Sequence, residues 1–228
     1  MAITSLHSPK RRVRFPPRAE VRGFARKLMK INRSLLYIGA LLLLSLAFFQ
    51  IKSGLDRPSP STTSGKPTGA PFTLTSQQGE VSLSDFEGQL ALIYFGYTWC
   101  PDICPTSMIF MAKAVNYLPE NLQHQLQPIF ISVDPKRDSP ARLADYVNFF
   151  EAGIIGLTGE EAYLAQLAKQ YGAFYRYVEI DSAMGYAVDH TSDFYLVNSS
   201  GKLLATLPHS ISGEELQAVL TKALKNQL

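Results

Sequence analysis

An uninterrupted apolar run, Leu90-Ala91-Leu92-Ile93-Tyr94-Phe95, stops at Gly96 and is followed closely by both cysteines of the chain, Cys100 and Cys104. A run of that length, rich in aromatic and branched side chains and ended by glycine, predicts a buried strand. After Pro105 the apolar residues Met108, Met111, Val115 and Leu118 recur at helical spacing. The two thiols therefore belong to the turn between a strand and a helix. Pro105 suits the first helical turn, where a missing N–H costs nothing. The positive end of the helix macrodipole favours thiolate there, and thiolate is both the nucleophile of disulfide exchange and a ligand for soft metals. Two incidental core cysteines are the plainer alternative, but confinement of the only pair to one proline-bounded turn argues against it.

The remainder of the chain divides by composition. Residues 1–33 carry ten Lys or Arg against one acid, Glu20, so this segment holds +9 and the rest −6, which gives the net +3. The basic charge belongs to a tail and gives no reason to expect a nucleic-acid partner for the folded part. Residues 35–49 are uncharged, and Gln50 and Ile51 extend the run before Lys52. Those 17 residues reach the short end of the roughly 17–25 that cross a bilayer. Basic charge before the span predicts an N-terminus held inside and a translocated domain. A cleaved signal peptide and a mitochondrial presequence followed by a span are the competing readings. No clear small-x-small cleavage site follows Phe49, and no cysteine stands there for lipidation. The expected organisation is a basic tail over 1–33, a transmembrane anchor over 34–51, a flexible Pro/Ser/Gly-rich linker over 52–70 and a folded domain over 71–228. Extended at ~3 Å per residue, the linker reaches up to roughly 60 Å.

Within the domain, Phe72 to Thr75 and Val81 to Leu83 flank a turn at Gln77–Glu80 and predict a hairpin. Gln127 to Asp134 reads as a second buried strand, Pro140 opens a helix over 141–151, and another helix covers 160–171. Phe174 to Ile180 and the segment 192–197 alternate like strands. Asn198 to Gly201 is a turn, Lys202 to Leu207 closes a hairpin, and Gly213 to Leu224 is an amphipathic helix. This order fits an α/β, thioredoxin-like fold with an N-terminal hairpin. That fold keeps its active site at a Cys pair opening the first helix.

Thioredoxins place two residues between their cysteines; here there are three. The wider pair permits a disulfide and equally lets two thiolates converge on one ion, which then needs a ligand from elsewhere. Of the four histidines, His7 lies in the basic tail and His124 in a polar loop, and both read as structural or solvated. His209, after Pro208, is a reserve candidate. His190 precedes a predicted strand, in the loop that faces the Cys turn in a thioredoxin-like layer and usually holds a proline. This chain has no proline between Pro140 and Pro208, so a histidine stands where that proline would shield the disulfide.

Three motifs in this order, Gly96-Tyr-Thr-Trp-Cys-Pro-Asp-Ile-Cys-Pro105, Val133-Asp-Pro-Lys-Arg-Asp-Ser-Pro140 and Val188-Asp-His-Thr191, resemble the Sco/SenC family of copper-binding proteins of mitochondrial and bacterial inner membranes. The likeness covers residues 70–228. It implies Cys100, Cys104 and His190 as copper ligands. Two thiolates and an imidazole suit Cu(I), and the histidine helps such a site tolerate Cu(II). Zinc accepts the same residues, but its structural sites are usually closed by four ligands. The resemblance further implies a membrane-anchored metallochaperone that receives copper from a donor protein. Its implied client is the binuclear copper centre of cytochrome c oxidase subunit II. The expected location is an inner membrane with the domain in the periplasm or, alternatively, the mitochondrial inner membrane facing the intermembrane space. The rival is an enzyme, a thiol–disulfide oxidoreductase using a redox-active Cys100–Cys104 pair to reduce the client's cysteines before metallation. A peroxidase ranks last, because Thr98 is one place out of register for a Thr-x-x-Cys pattern. Asp134 and Asp138 are expected to orient His190 or face a partner, with capping of the helix after Pro140 the leading role for Asp138. Met108 and Met111 are expected in the core.

Overall fold

The computed structural model describes residues 66–226 together with Tyr37, Ile38, Leu41 and Leu42. The basic tail, the rest of the anchor expected over 34–51 and the linker up to residue 65 lie outside the described residues. No helix among the described residues is long and apolar enough to cross a membrane. The chain divides into two units, 1–63 and 64–228, and every strand described lies in the second.

The expected hairpin forms from β1 (Thr73–Ser76) and β2 (Gly79–Ser82). It is followed by β3 (Leu90–Gly96), α1 (Ile103–Asn116), the short α2 (Glu120–Gln123) and β4 (Leu126–Ser132). Then come α3 (Pro140–Asn148), β5 (Ile155–Leu157) and α4 (Glu161–Tyr171). A two-stranded ribbon of β6 (Tyr175–Glu179) and β7 (Tyr186–His190) precedes β8 (Phe194–Asn198), β9 (Leu203–Leu207) and α5 (Gly213–Lys225). The main sheet has the order β5-β4-β3-β8-β9. Strands β3, β4 and β5 run parallel, β8 runs antiparallel to β3, and β9 to β8. This is the expected α/β, thioredoxin-like layer.

All seven residues of the central strand β3 are buried, as its unbroken apolar run dictates. Its side chains alternate between faces. Tyr94 meets Phe130 of β4 at 6.3 Å between ring centroids, and Phe130 meets Tyr146 of α3 at 5.3 Å. Phe95 points the other way, onto Tyr171 of α4 and Tyr195 of β8, both at 5.6 Å. Each large apolar side chain so buried contributes roughly 1.5–3 kcal/mol. Met108 and Met111 are fully buried on α1 and belong to this core, as expected.

Several boundaries depart from expectation. Helix α1 begins at Ile103, two residues before Pro105, so Cys104 lies inside its first turn, where its N–H donates to Cys100 Sγ at 3.4 Å. Helix α3 ends at Asn148, short of the expected 151, and Glu151 takes a left-handed φ of 49°. The segment 186–190, read as a loop, is instead β7, with His190 opposite Tyr175 and Val188 opposite Tyr177. The end of the expected linker is bonded to the domain: the Leu203 N–H donates to the Thr68 carbonyl (2.8 Å) and the Gly69 N–H to the Gln170 carbonyl (3.0 Å).

Candidate metal centre

The Cys turn leaves the carboxyl end of β3, beside the carboxyl end of β4, where open parallel sheets form their binding crevices. The Val133 N–H donates to the Gly96 carbonyl at 2.9 Å and joins the two strand ends. Cys100 is half-buried in that turn and Cys104 fully buried in the first turn of α1. His190, half-buried, is the last residue of β7. The structure brings all three together: their ligand atoms lie within 4.8 Å of one another, and Cys104 Sγ is 3.2 Å from His190 Nε2. His190 Nδ1–H donates to the Thr191 carbonyl oxygen at 3.0 Å. That bond orients the ring and turns Nε2 toward the sulfur. The rings of Tyr94 and Tyr97 stand edge-on to the imidazole, at 6.2 and 5.7 Å, and restrict its rotation.

Glycine is required where β3 enters the turn. A Cβ on Gly96 would come within 2.9 Å of both Phe130 Cε2 and Tyr94 Cε1, and 3.0 Å from Cys104 Sγ. The space a side chain would fill is the space the sulfur occupies.

Both cysteines are free thiols, not a disulfide, and they are not equivalent. The hydrogen bond from Cys104 holds Cys100 well below the usual thiol range. Burial opposes that shift, while His190 and the backbone N–H groups of Asp102 and Cys104 add to it. Burial pushes Cys104 well above the range, and the neighbouring Cys100 reinforces the rise. Cys100 is thus the thiolate at neutral pH, and it is also the more accessible sulfur.

Two fully buried carboxylates hold the halves of the site in place. Asp138 accepts from the Thr98 N–H (2.9 Å), the Thr98 hydroxyl (2.6 Å) and the Ser132 hydroxyl (2.6 Å), which ties the Cys turn to the end of β4. Asp134 accepts from Arg137 Nε (2.5 Å) and the Tyr186 hydroxyl (2.8 Å). Arg137 in turn donates to the Tyr186 carbonyl at 2.9 Å and stacks 3.7 Å from its ring. The Tyr177 hydroxyl donates to the Val133 carbonyl at 3.0 Å. These bonds fasten the β6–β7 ribbon, and with it His190, to the loop after β4. A buried carboxylate demands such partners. The capping role expected of Asp138 falls instead to Ser139, whose side chain accepts from the Arg142 N–H with Pro140 in the first turn of the helix. Asp138 is drawn inward by Thr98 and Ser132, pairs with Arg142 Nε at 3.8 Å, and is too buried to offer a docking surface. Asp134 positions the strand that carries His190, not the imidazole itself.

Sequence reasoning missed Thr98, Ser132, Arg137 and Tyr186. The signal for Tyr186 was present: Tyr175 and Tyr177, then Tyr186 and Val188, alternate on either side of Asp181–Gly185. His124 and His209 are exposed and stand outside the cluster; His7 lies outside the described residues. Trp99, beside Cys100, is 41% exposed, with the Arg142 guanidinium 4.8 Å from its ring.

Comparison with known proteins agrees with this geometry. An SCO2-like protein of Rickettsia prowazekii is 40% identical over 150 residues, which are 65% of this chain and 73% of that protein. The crystal structure of Arabidopsis thaliana ScoI with copper bound superposes with a TM-score of 0.65 at 32% identity, covering 70% of this chain and 99% of that one. Bradyrhizobium japonicum ScoI with copper bound gives a TM-score of 0.61 at 34% identity, covering 71% and 99%. The SCO1/SenC family profile matches residues 60–225, a span that holds the Cys turn, the buried aspartates and His190 alike, and the chain belongs to that family.

Proposed function

We propose that this chain is a membrane-anchored copper metallochaperone. It receives copper from a donor protein, holds it on Cys100, Cys104 and His190, and delivers it to the binuclear copper site of cytochrome c oxidase subunit II. The observation that carries this reading is the convergence of two sulfurs and one imidazole nitrogen within 4.8 Å on the rim of the sheet. Two thiolates and an imidazole are a soft set matched to Cu(I), and the nitrogen extends the site's reach to Cu(II). Among the described residues only three protein ligands converge, and two of them, Cys100 and His190, are partly exposed. A client's ligand can therefore join the ion from the open side before the carrier's own ligands let go. The copper bound to the Arabidopsis and Bradyrhizobium relatives supports the same assignment. In this reading the basic tail over 1–33 and the anchor expected over 34–51 would hold the N-terminus inside an inner membrane with the domain in the periplasm, or in the mitochondrial intermembrane space.

The test is copper binding by the full chain, purified in detergent and reduced, beside a His190→Ala variant. One copper per chain is expected, with affinity lowered at least tenfold in the variant and binding abolished by Cys100→Ala. Copper binding that ignores His190 would overturn the metallochaperone reading. A second reading, reductase of the client's cysteines, is favoured by one observation. Cys100 is the accessible thiolate and Cys104 the buried, protonated partner, which is the division of labour that thiol–disulfide exchange requires. Rapid exchange with a disulfide peptide together with absent copper binding would make it the primary role.

A further inference from the structure

Beside Cys104, two buried hydroxyls close no well-formed hydrogen bond. Tyr94 of β3 is 0% exposed and Ser107 of α1 is 1% exposed, and neither side-chain oxygen makes a hydrogen bond. Ser107 follows Cys104 by three residues, on the same face of α1. Tyr94 shares its close packing with the sulfur: the point where a Gly96 Cβ would sit is 2.9 Å from Tyr94 Cε1 and 3.0 Å from Cys104 Sγ. The Tyr94 hydroxyl lies within reach of Cys104, Ser107 and Ser192 without closing a well-formed bond to any of them. The same ring stands edge-on to His190.

Packing gives no reason for these oxygens. Phe and Ala would fill the same space, and a buried hydroxyl without a partner costs roughly 1–3 kcal/mol. A buried orphan group calls for an explanation, a redox role or a bound ion among them, and these two are the ones that stand against Cys104. A sulfur bound to a metal ion is a thiolate and accepts a hydrogen bond strongly. On loading, the thiol proton leaves to solvent as the ion takes its place; no electron moves.

We infer that Tyr94, with Ser107 beside it, is a positioning residue for the copper cargo: its hydroxyl donates to the Cys104 sulfur in the loaded state and biases the site toward Cu(I). A hydrogen bond to a ligating thiolate withdraws charge from the sulfur, which disfavours the more highly charged ion. This inference rests on the copper reading proposed above and assigns the residue that sets its preferred oxidation state.

The test compares the full chain in detergent with Tyr94→Phe and Ser107→Ala variants. Each is loaded with Cu(I) or Cu(II), and affinities and the thiolate-to-Cu(II) charge-transfer band are recorded. In Tyr94→Phe the ratio of Cu(I) to Cu(II) affinity falls about tenfold, the change expected from losing one hydrogen bond to a charged group, and the band moves to lower energy. Ser107→Ala shifts both in the same direction by less. An unchanged ratio and band in Tyr94→Phe overturns the inference while leaving the copper reading standing. Equal loss of both affinities with a lowered melting temperature also overturns it, since that is the signature of packing alone. Failure of the unsubstituted chain to take copper removes the copper reading itself, and this inference with it.

Discussion

The Cys turn and the β6–β7 ribbon contribute to one site from very different supports. The turn hangs between β3, every residue of which is buried, and α1, whose inward face carries Cys104, Met108 and Met111. The ribbon is two strands outside the main sheet, with only Val188 of its ten strand residues fully buried. A two-stranded ribbon is marginal alone in water. This one is held by Asp134, Arg137, Tyr177 and Tyr186, through side-chain bonds and ring contacts rather than a backbone ladder to the sheet. Two of the proposed ligands are therefore set by the core of the fold and the third by a ribbon fastened through side chains. For the copper carrier proposed above, the difference would give a way to lower the ligand count without unfolding the core.

The comparison breaks most visibly at Asp138. Asp138→Ala removes the acceptor of three hydrogen bonds at the base of the Cys turn. It is expected to cost about 3–5 kcal/mol, read in a denaturant titration of the domain unit. Next comes Gly96→Ala, which drives a methyl into the Phe130–Tyr94–Cys104 contact. A loss of about 1–3 kcal/mol, together with weaker copper binding, is expected from overpacking. Both are faults of the rigid side and lower global stability.

Tyr186→Phe sharpens the contrast from the other side. It removes the hydroxyl that Asp134 accepts and is expected to cost only about 1 kcal/mol. Amide exchange should quicken in β6 and β7 but not in β3, and copper affinity should fall several-fold. A uniform rise in exchange across the domain would show that the ribbon is no separate unit. The smallest effect concerns the two thiols without copper. The folded-state shift of Cys100 is downward, so its alkylation rate should stay nearly flat from pH 6 to 8 and fall only in acid. The shift of Cys104 is upward, so its slower alkylation should still be climbing at pH 9. Mass spectrometry of partially alkylated chains separates the two sites.

The parts of this molecule that sequence made legible are those where one physical rule acts alone. The burial of β3 follows from six consecutive apolar residues, and the turn from Gly96 and Pro105. The soft-ligand character of Cys100 and Cys104 follows from their sulfurs, but the thiolate that a helix N-terminus favours is found only at Cys100, because burial pushes Cys104 up. His190 was identifiable from the absence of a proline and from the family motif. What stayed hidden depended on distance in the chain. Asp138 sits directly before Ser139 and Pro140 and looks like a helix cap. Only the fold reveals that Thr98, 40 residues away, competes for it. Strand β7 is harder to see because it is short and half-exposed, and the alternation of Tyr186 and Val188 becomes a strand only once it pairs with β6.

The most direct test of the three-ligand site is X-ray absorption at the copper edge of the reduced, copper-loaded full chain, beside His190→Ala. Two sulfur neighbours and one nitrogen are expected around the ion, and the nitrogen should vanish in the variant while both sulfurs remain. A copper environment without two sulfurs, or a nitrogen that persists when His190 is gone, would contradict the assignment.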